Sequence, residues 1–230
     1  MMRKLKALLR GDEDELLAGL SRPSLDWAAS CSLVILAGTG IYGATVGLWR
    51  APLQSFYTAL KFPLLIFLTY GGNALLNGML AQLLGSGLSF RQTSRAILMS
   101  FALTGLILGA LSPVSLFILY NTPPLASDAT VLGHSVTLLT HVFFIACAGV
   151  IANRRLYRLL EKASGNRAIA RRVLLGWLGG NLLLGSQLAW VLRPFIGSPR
   201  LAVEFLRADP LRGNFYEAVW RALRHILFSA

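Results

Sequence analysis

The chain has 230 residues, 55 % hydrophobic and only 14 % charged, with 22 Lys and Arg against 10 Asp and Glu. An ordinary water-soluble domain carries about 25 % charged residues, and here all ten acids (positions 12 to 15, 26, 128, 161, 204, 209 and 217) fall outside the long apolar runs, so a soluble core is excluded. The net charge of +12 clusters at the ends of those runs, which points to anionic lipid headgroups; without interleaved aromatics the basic stretches do not make a nucleic-acid surface.

The opening MMRKLKALLRGDEDELL is basic at its start, but four consecutive acids break its apolar stretch. It therefore does not read as a cleavable signal peptide; residues 1–26 read instead as a cytoplasmic amphipathic segment. Five stretches then reach the about 20 apolar residues that a hydrocarbon core of about 30 Å requires: 27–49, 62–85, 96–120, 132–152 and 173–192. Trp27, Trp49, Tyr70, Tyr120 and Trp190 stand near their ends, where a bilayer interface favours aromatic rings. Residues 51–61, APLQSFYTALK, are too short and polar to cross and read as an interfacial or re-entrant helix. The expected fold is all-α: an integral membrane bundle of about five transmembrane helices over 27–192, with interfacial amphipathic helices at the N-terminus, after the first span and in a C-terminal tail, 193–230.

Lys and Arg set the expected orientation. Five lie in the N-terminal segment (Arg3, Lys4, Lys6, Arg10, Arg22), two in the loop 86–95 (Arg91, Arg95) and seven in the loop 153–172 (Arg154, Arg155, Arg158, Lys162, Arg167, Arg171, Arg172), against Arg50 and Lys61 alone between the first two spans. A cytoplasmic N-terminus follows. The tail then lies outside with six arginines of its own, which conflicts with the rule; a sixth crossing by 213–230 is the alternative, opposed by Glu217, Arg221, Arg224 and His225.

Within the tail, Ser198-Pro199 and Asp209-Pro210 look like helix starts with proline at the first position, and Asn214 with Glu217 resembles a capping box. Beyond it Phe215, Val219, Ala222 and Ile226 share one face and Glu217, Arg221 and Arg224 another, so this helix is expected on a surface. The fifth span is expected to end at Arg193, because the residue before Pro194 disfavours the helical conformation. Its guanidinium has two readings: it snorkels to lipid phosphate, or it pairs with Glu204 or Asp209 and anchors the tail.

Polar residues inside the spans are the candidate site. Asn73 and Asn77 share one face of the second span with Gln82 beyond; His134, Thr137 and His141 line the fourth; Asn181 and Gln187 lie in the fifth. They are either interhelical hydrogen-bonding groups or the lining of a polar path. His141 is the most central, but a second central histidine for bis-His heme ligation is missing, and no cofactor is expected. Cys31 and Cys147 sit in apolar runs and offer no disulfide framework or metal spacing. Glycine pairs four apart (Gly43 and Gly47, Gly105 and Gly109, Gly176 and Gly180) allow close helix approach, within a monomer or between chains. No phosphate-binding glycine loop, HExxH, Gly-x-Ser-x-Gly or embedded acid pair is present, so no enzyme activity is expected.

The stretch GLSFRQTSRAILMSFALTGLILGALSPV, 87–114, resembles the central part of the Yip1-type membrane-protein superfamily, through Ser89, Phe90, Arg91 and Gln92 before the third of five spans and Pro113 late in it. RAPLQ at 50–54 and LRPFIGSP at 192–199 resemble recurrent segments of bacterial membrane proteins. The acidic-aromatic tail motif of eukaryotic members is missing, which argues against vesicle traffic. The resemblance implies a non-enzymatic scaffold or assembly factor of a bacterial inner membrane. Two functions are carried forward: an accessory subunit packed beside other membrane subunits or its own copies, and a small transporter, channel or lipid-handling protein using Asn73, Asn77, His141, Asn181 and Gln187.

Overall fold

A computed structural model describes residues 2–21, 25–123, 130–198 and 201–228, the side chains of 2–5 and 130 excepted. Arg22, loop residues 124–129, the cap at Pro199 and Arg200 lie outside the described residues, as do the side chains of Arg3 and Lys4. The described chain is all-helical: α1 (Met2–Arg10), α2 (Glu13–Ser21), α3 (Leu25–Leu48), α4 (Pro52–Leu83), α5 (Phe90–Tyr120), α6 (Thr130–Ser164), α7 (Arg167–Val191) and α8 (Phe215–Phe228). Four of these, α3 to α6, are long and apolar enough to cross a membrane, so the chain is a helical membrane protein.

One end of the bundle gathers α1, α2, the α4–α5 turn and the α6–α7 turn. Arg95 Nη1 donates to the Leu20 carbonyl at 2.9 Å, Arg155 Nη1 to the Arg10 carbonyl at 2.7 Å, and Lys162 pairs with Asp14 at 2.7 Å. The other end gathers the α3–α4 turn, the end of α5 and the segment after α7, with Trp49 Nε1 donating to the Pro123 carbonyl at 3.4 Å and Arg50 Nε to the Ser198 carbonyl at 3.0 Å. The helix α7 thus runs the full height of the bundle, its 25 residues covering about 37 Å. Its Arg171, Arg172, Asn181, Ser186 and Gln187 leave it less apolar than the other four, so the expected fifth span is long enough to cross but does not reach the apolarity of α3 to α6.

Two expected boundaries are corrected. Residues 51–61 are not a separate interfacial helix: they are the first turns of the 32-residue α4, which starts with Pro52 in its first turn, where a missing N–H costs nothing, and carries Pro63 inside. The polarity that argued against crossing belongs to Gln54, Thr58 and Lys61, which form one fully buried stripe. The helix α7 stops at Val191 rather than Arg193. The N-terminal segment forms α1 and α2, and their Leu8, Leu16 and Leu20 bury into the same core as Met99, Leu156 and Trp177.

Glycine lets α3 seat against both neighbours. A Cβ on Gly38 would stand 2.2 Å from the Gly105 carbonyl oxygen of α5; on Gly43 and Gly47 it would stand 2.5 Å from the Thr58 and Gln54 carbonyl oxygens of α4. Gly109 packs on Gly38, and Gly180 on the Asn73 and Asn77 side chains. These glycine faces are used within the monomer. The start of α5 explains the Ser-Phe-Arg-Gln motif in local terms: Ser89 Oγ accepts the Gln92 N–H at 3.3 Å while Gln92 Oε1 accepts the Ser89 N–H at 2.9 Å, a complete capping box. Phe90 fills the space opposite Gly78.

Candidate functional site

The most developed polar constellation lies where the segment after α7 folds onto the start of α4. Residues four and three apart on one helix face stack above one another, so Gln54, Thr58 and Lys61 present a ladder of donors. Lys61 Nζ and Gln54 Nε2 donate to the Pro194 carbonyl at 2.8 and 2.9 Å; Gln54 Nε2 and Thr58 Oγ1 donate to the Phe195 carbonyl at 3.0 and 2.7 Å. Arg50 extends the ladder outward to the Ser198 and Leu201 carbonyls. The strap 193–198 therefore lies on side-chain donors contributed by the α3–α4 corner, a substitute for the backbone pairing that an irregular segment lacks.

Lys61 is wholly buried. Its ammonium sits 4.8 Å from the Phe205 ring centroid and 5.8 Å from that of Phe195, so ring faces and a carbonyl oxygen hold the cation where a carboxylate would ordinarily stand. Behind the strap, Phe195 packs edge-on to Phe62 at 5.2 Å, and His134 lies tilted against Trp49 at 5.8 Å.

Arg193 anchors the tail, but not through Glu204 or Asp209 side chains. Its Nη1 donates to the Trp190 and Pro210 carbonyls at 3.0 and 2.6 Å, its Nη2 to the Asp209 and Arg212 carbonyls at 2.6 and 3.1 Å, and its guanidinium lies 4.0 Å over the Trp190 ring. The rigid fork of a guanidinium suits several carbonyls of one turn, which a single carboxylate cannot replace. Glu204 is committed to Arg207 at 3.0 Å. Burial, and secondarily the charge of Arg207, push the Arg193 guanidinium below its ordinary pKa, with Asp209 opposing. Pro194 is buried and follows a cis peptide bond. Asp209-Pro210 opens a turn rather than a helix, and at α8 only half a capping box forms: Asn214 Oδ1 accepts the Glu217 N–H at 3.0 Å, while the Glu217 carboxylate takes the Asn214 side-chain amide at 2.7 Å instead of the backbone.

The intramembrane candidates fall into separate places. His141 Nδ1 meets the Tyr42 hydroxyl of α3 at 2.7 Å, beside Phe62 and Phe144, and nearby Thr45 Oγ1 donates to Ser115 Oγ at 2.9 Å. Asn73 and Asn77 lie on the α4 face toward α7, where Asn77 Nδ2 donates to Asn73 Oδ1 at 2.8 Å and Asn73 Nδ2 to the Thr69 carbonyl at 2.9 Å. Asn181 follows Gly180 on α7, half-buried, with a buried Oδ1 that has no hydrogen-bond partner; Thr69 Oγ1 is in the same condition. Gln187 is half-buried near the end of α7, and Gln82 is exposed. His141 and the asparagine pair thus belong to different helix contacts, α3–α6 and α4–α7.

Sequence reasoning missed Gln54, Thr58, Lys61 and Tyr42. The signal for the first three was their spacing on one helical face, concealed because three polar residues within eight positions imitate the edge of a span; Tyr42 carried no signal beyond being a phenol in an apolar run. Among the described residues no three His, Cys, Asp or Glu side chains converge to hold a metal. Comparison with family models, curated proteins and solved structures finds no match to this chain.

Proposed function

We propose that the chain is a non-catalytic integral membrane protein, an accessory or assembly subunit that packs beside other membrane proteins of a bacterial inner membrane, with its N-terminus in the cytoplasm. The observation that carries this reading is how the intramembrane polar groups are spent. Tyr42 with His141, Thr45 with Ser115, Asn73 with Asn77 and Lys61 with Pro194 are paired inside the fold, while α3 closes on α4 and α5 at glycine-to-backbone distance. Among the described residues these pairs lie at separate helix contacts rather than along one polar lining. The pocket between α1, α2, α5 and α6 has room for only about 20 Å³, roughly one water. The basic residues at the α1, α2 and α6–α7 end support the cytoplasmic assignment of that end, α7 supplies a fifth crossing, and the Ser89 to Gln92 motif supports a Yip1-type relationship.

Extraction from the native membrane in mild detergent tests the proposal. Co-purification in fixed stoichiometry with other membrane subunits is the expected result; recovery alone or only as a homo-oligomer counts against the accessory role. A monodisperse single chain that moves solute across liposomes overturns it. One observation favours the second reading, a transporter or lipid-handling protein: Thr69 Oγ1 of α4 and Asn181 Oδ1 of α7, both without a partner, lie on the two helices that meet at Asn73 and Asn77. Loss of that flux in Asn181→Leu would place the path at the α4–α7 contact.

A further inference from the structure

The helix α8 divides into three sectors. At about 100° per residue, Phe215, Ala218, Val219, Ala222 and Ile226 share the face turned to the bundle, of which Ala222 is fully buried. Tyr216, Trp220, Leu223 and Leu227 form an exposed apolar sector, and Glu217, Arg221, Arg224 and Phe228 an exposed sector beside it. The helix is fixed in place by Tyr216, whose hydroxyl donates to the Leu182 carbonyl at 2.9 Å and meets Ser186 Oγ at 3.1 Å, and by Trp190 Nε1, which donates to the Arg212 carbonyl at 3.0 Å. Leu182 is eight residues before Trp190, so the start of α8 is tied about 12 Å down α7 from that ring.

Four side chains of α8 alone, Arg221, Arg224, His225 and Phe228, line an open surface cleft of about 390 Å³. Among the described residues neither arginine has a hydrogen bond or ion pair; the carboxylate closest in sequence, Glu217, is occupied by Asn214. The ring nitrogen Nδ1 of His225 is buried without a partner beside the same cleft. Elsewhere in the tail Arg193 is spent on four carbonyls and Arg207 on Glu204.

We propose that this cleft binds the phosphodiester headgroup of an anionic phospholipid, with the lipid's acyl chains lying along Trp220, Leu223 and Leu227. Two guanidiniums one turn apart offer forked donors to phosphate oxygens, and the apolar sector directly beside them supplies the chain contact that free phosphate does not use. Charge complementarity commits the site to an anionic lipid over a zwitterionic one. The inference rests on membrane residence, common to both functional readings, and not on the accessory role.

Trp220 reports on the site. Full-length protein is reconstituted in vesicles of phosphatidylcholine containing a fixed fraction of bromine-labelled lipid, either phosphatidylglycerol or phosphatidylcholine, and the Trp220 contribution is isolated by difference from Trp220→Phe. Labelled phosphatidylglycerol is expected to quench Trp220 in clear preference to labelled phosphatidylcholine. Each arginine near an anionic surface strengthens attraction about fivefold, so Arg221→Gln/Arg224→Gln should lower that preference by about 25-fold at most, to near unity, leaving quenching by labelled phosphatidylcholine unchanged. Arg221→Lys/Arg224→Lys should retain part of it. Millimolar inorganic phosphate should leave the preference intact; its abolition by phosphate assigns the cleft to a soluble anion and overturns the lipid assignment. Equal quenching by both lipids in the wild type, or a preference that survives the double Gln variant, also overturns the proposal.

Discussion

Each of the two strap carbonyls seated on α4 has two donors, and this redundancy has a measurable consequence. The Pro194 oxygen receives Lys61 and Gln54; the Phe195 oxygen receives Gln54 and Thr58. Gln54→Leu alone leaves one donor on each carbonyl and removes Gln54 Oε1, itself buried without a partner, so a cost of about 1 kcal/mol is expected, the net worth of an ordinary hydrogen bond. Lys61→Met keeps the aliphatic volume and removes a buried ammonium that has no carboxylate, so desolvation relief offsets the lost bond and the change stays within about 1 kcal/mol. The double variant orphans the buried Pro194 oxygen, adding about 1–3 kcal/mol that neither single change incurs. Opening of the strap can be followed by the rate at which a membrane-impermeant maleimide labels Ser198→Cys, in a Cys147→Ala background with Cys31 buried. The double variant should label about 5- to 150-fold faster than the two single effects multiplied together. Simple multiplication of the single effects, or unchanged labelling in all three, would refute the shared-carbonyl reasoning.

Arg193→Ala removes four carbonyl contacts and the stack on Trp190, so protease cleavage within 203–212 should accelerate at least about tenfold, with only partial recovery in Arg193→Lys because an ammonium cannot fork; an unchanged cleavage rate contradicts the anchoring role. Tyr42→Phe should lower stability by about 1–3 kcal/mol by leaving His141 Nδ1 without its partner, and Tyr42→Phe/His141→Phe should recover much of that loss, read by thermal unfolding in detergent; additive losses would count against the pair. Gly38→Ala should destabilise by about 1–3 kcal/mol, since its Cβ would meet the Gly105 backbone. Gly71→Ala, with nothing within 4 Å, should be neutral or stabilising by up to about 1 kcal/mol; similar effects at both glycines would mean that the α3–α5 approach is not set by Gly38.

The helical membrane class was legible because lipid demands it: runs of about 20 apolar residues with acids excluded match the thickness of a hydrocarbon core and suit no water-soluble fold of this size. Boundaries were legible only where local chemistry sets them. Lys61 and Gln54 read as too polar for a span because their partners, the carbonyls of Pro194 and Phe195, lie more than 130 residues away in sequence. Arg193 was recognised as a tail anchor in one of its two readings, yet the acceptors were sought among carboxylates, since side-chain charge is visible in a sequence and a turn of backbone carbonyls is not. The apolar face of α8 read correctly from periodicity, with Phe215, Val219 and Ile226 half-buried and Ala222 fully so. Its two neighbouring outward sectors need the packed bundle to be distinguished from it. Of the intramembrane polar residues, Asn73 with Asn77 was legible from spacing four apart, whereas Tyr42 facing His141 depends on which faces of α3 and α6 meet.

Aqueous thiol access distinguishes a packed bundle whose polar residues are used internally from one with a wet interior. Asn73→Cys, His141→Cys and Asn181→Cys are placed one at a time in a Cys31→Ala/Cys147→Ala background and exposed in sealed membrane vesicles of each orientation to a charged thiol reagent. In a packed bundle none of the three is modified from either side while the fold is intact. Modification of all three, from either side, would mean that water joins them in one path, contradicting the packed interior and favouring transport.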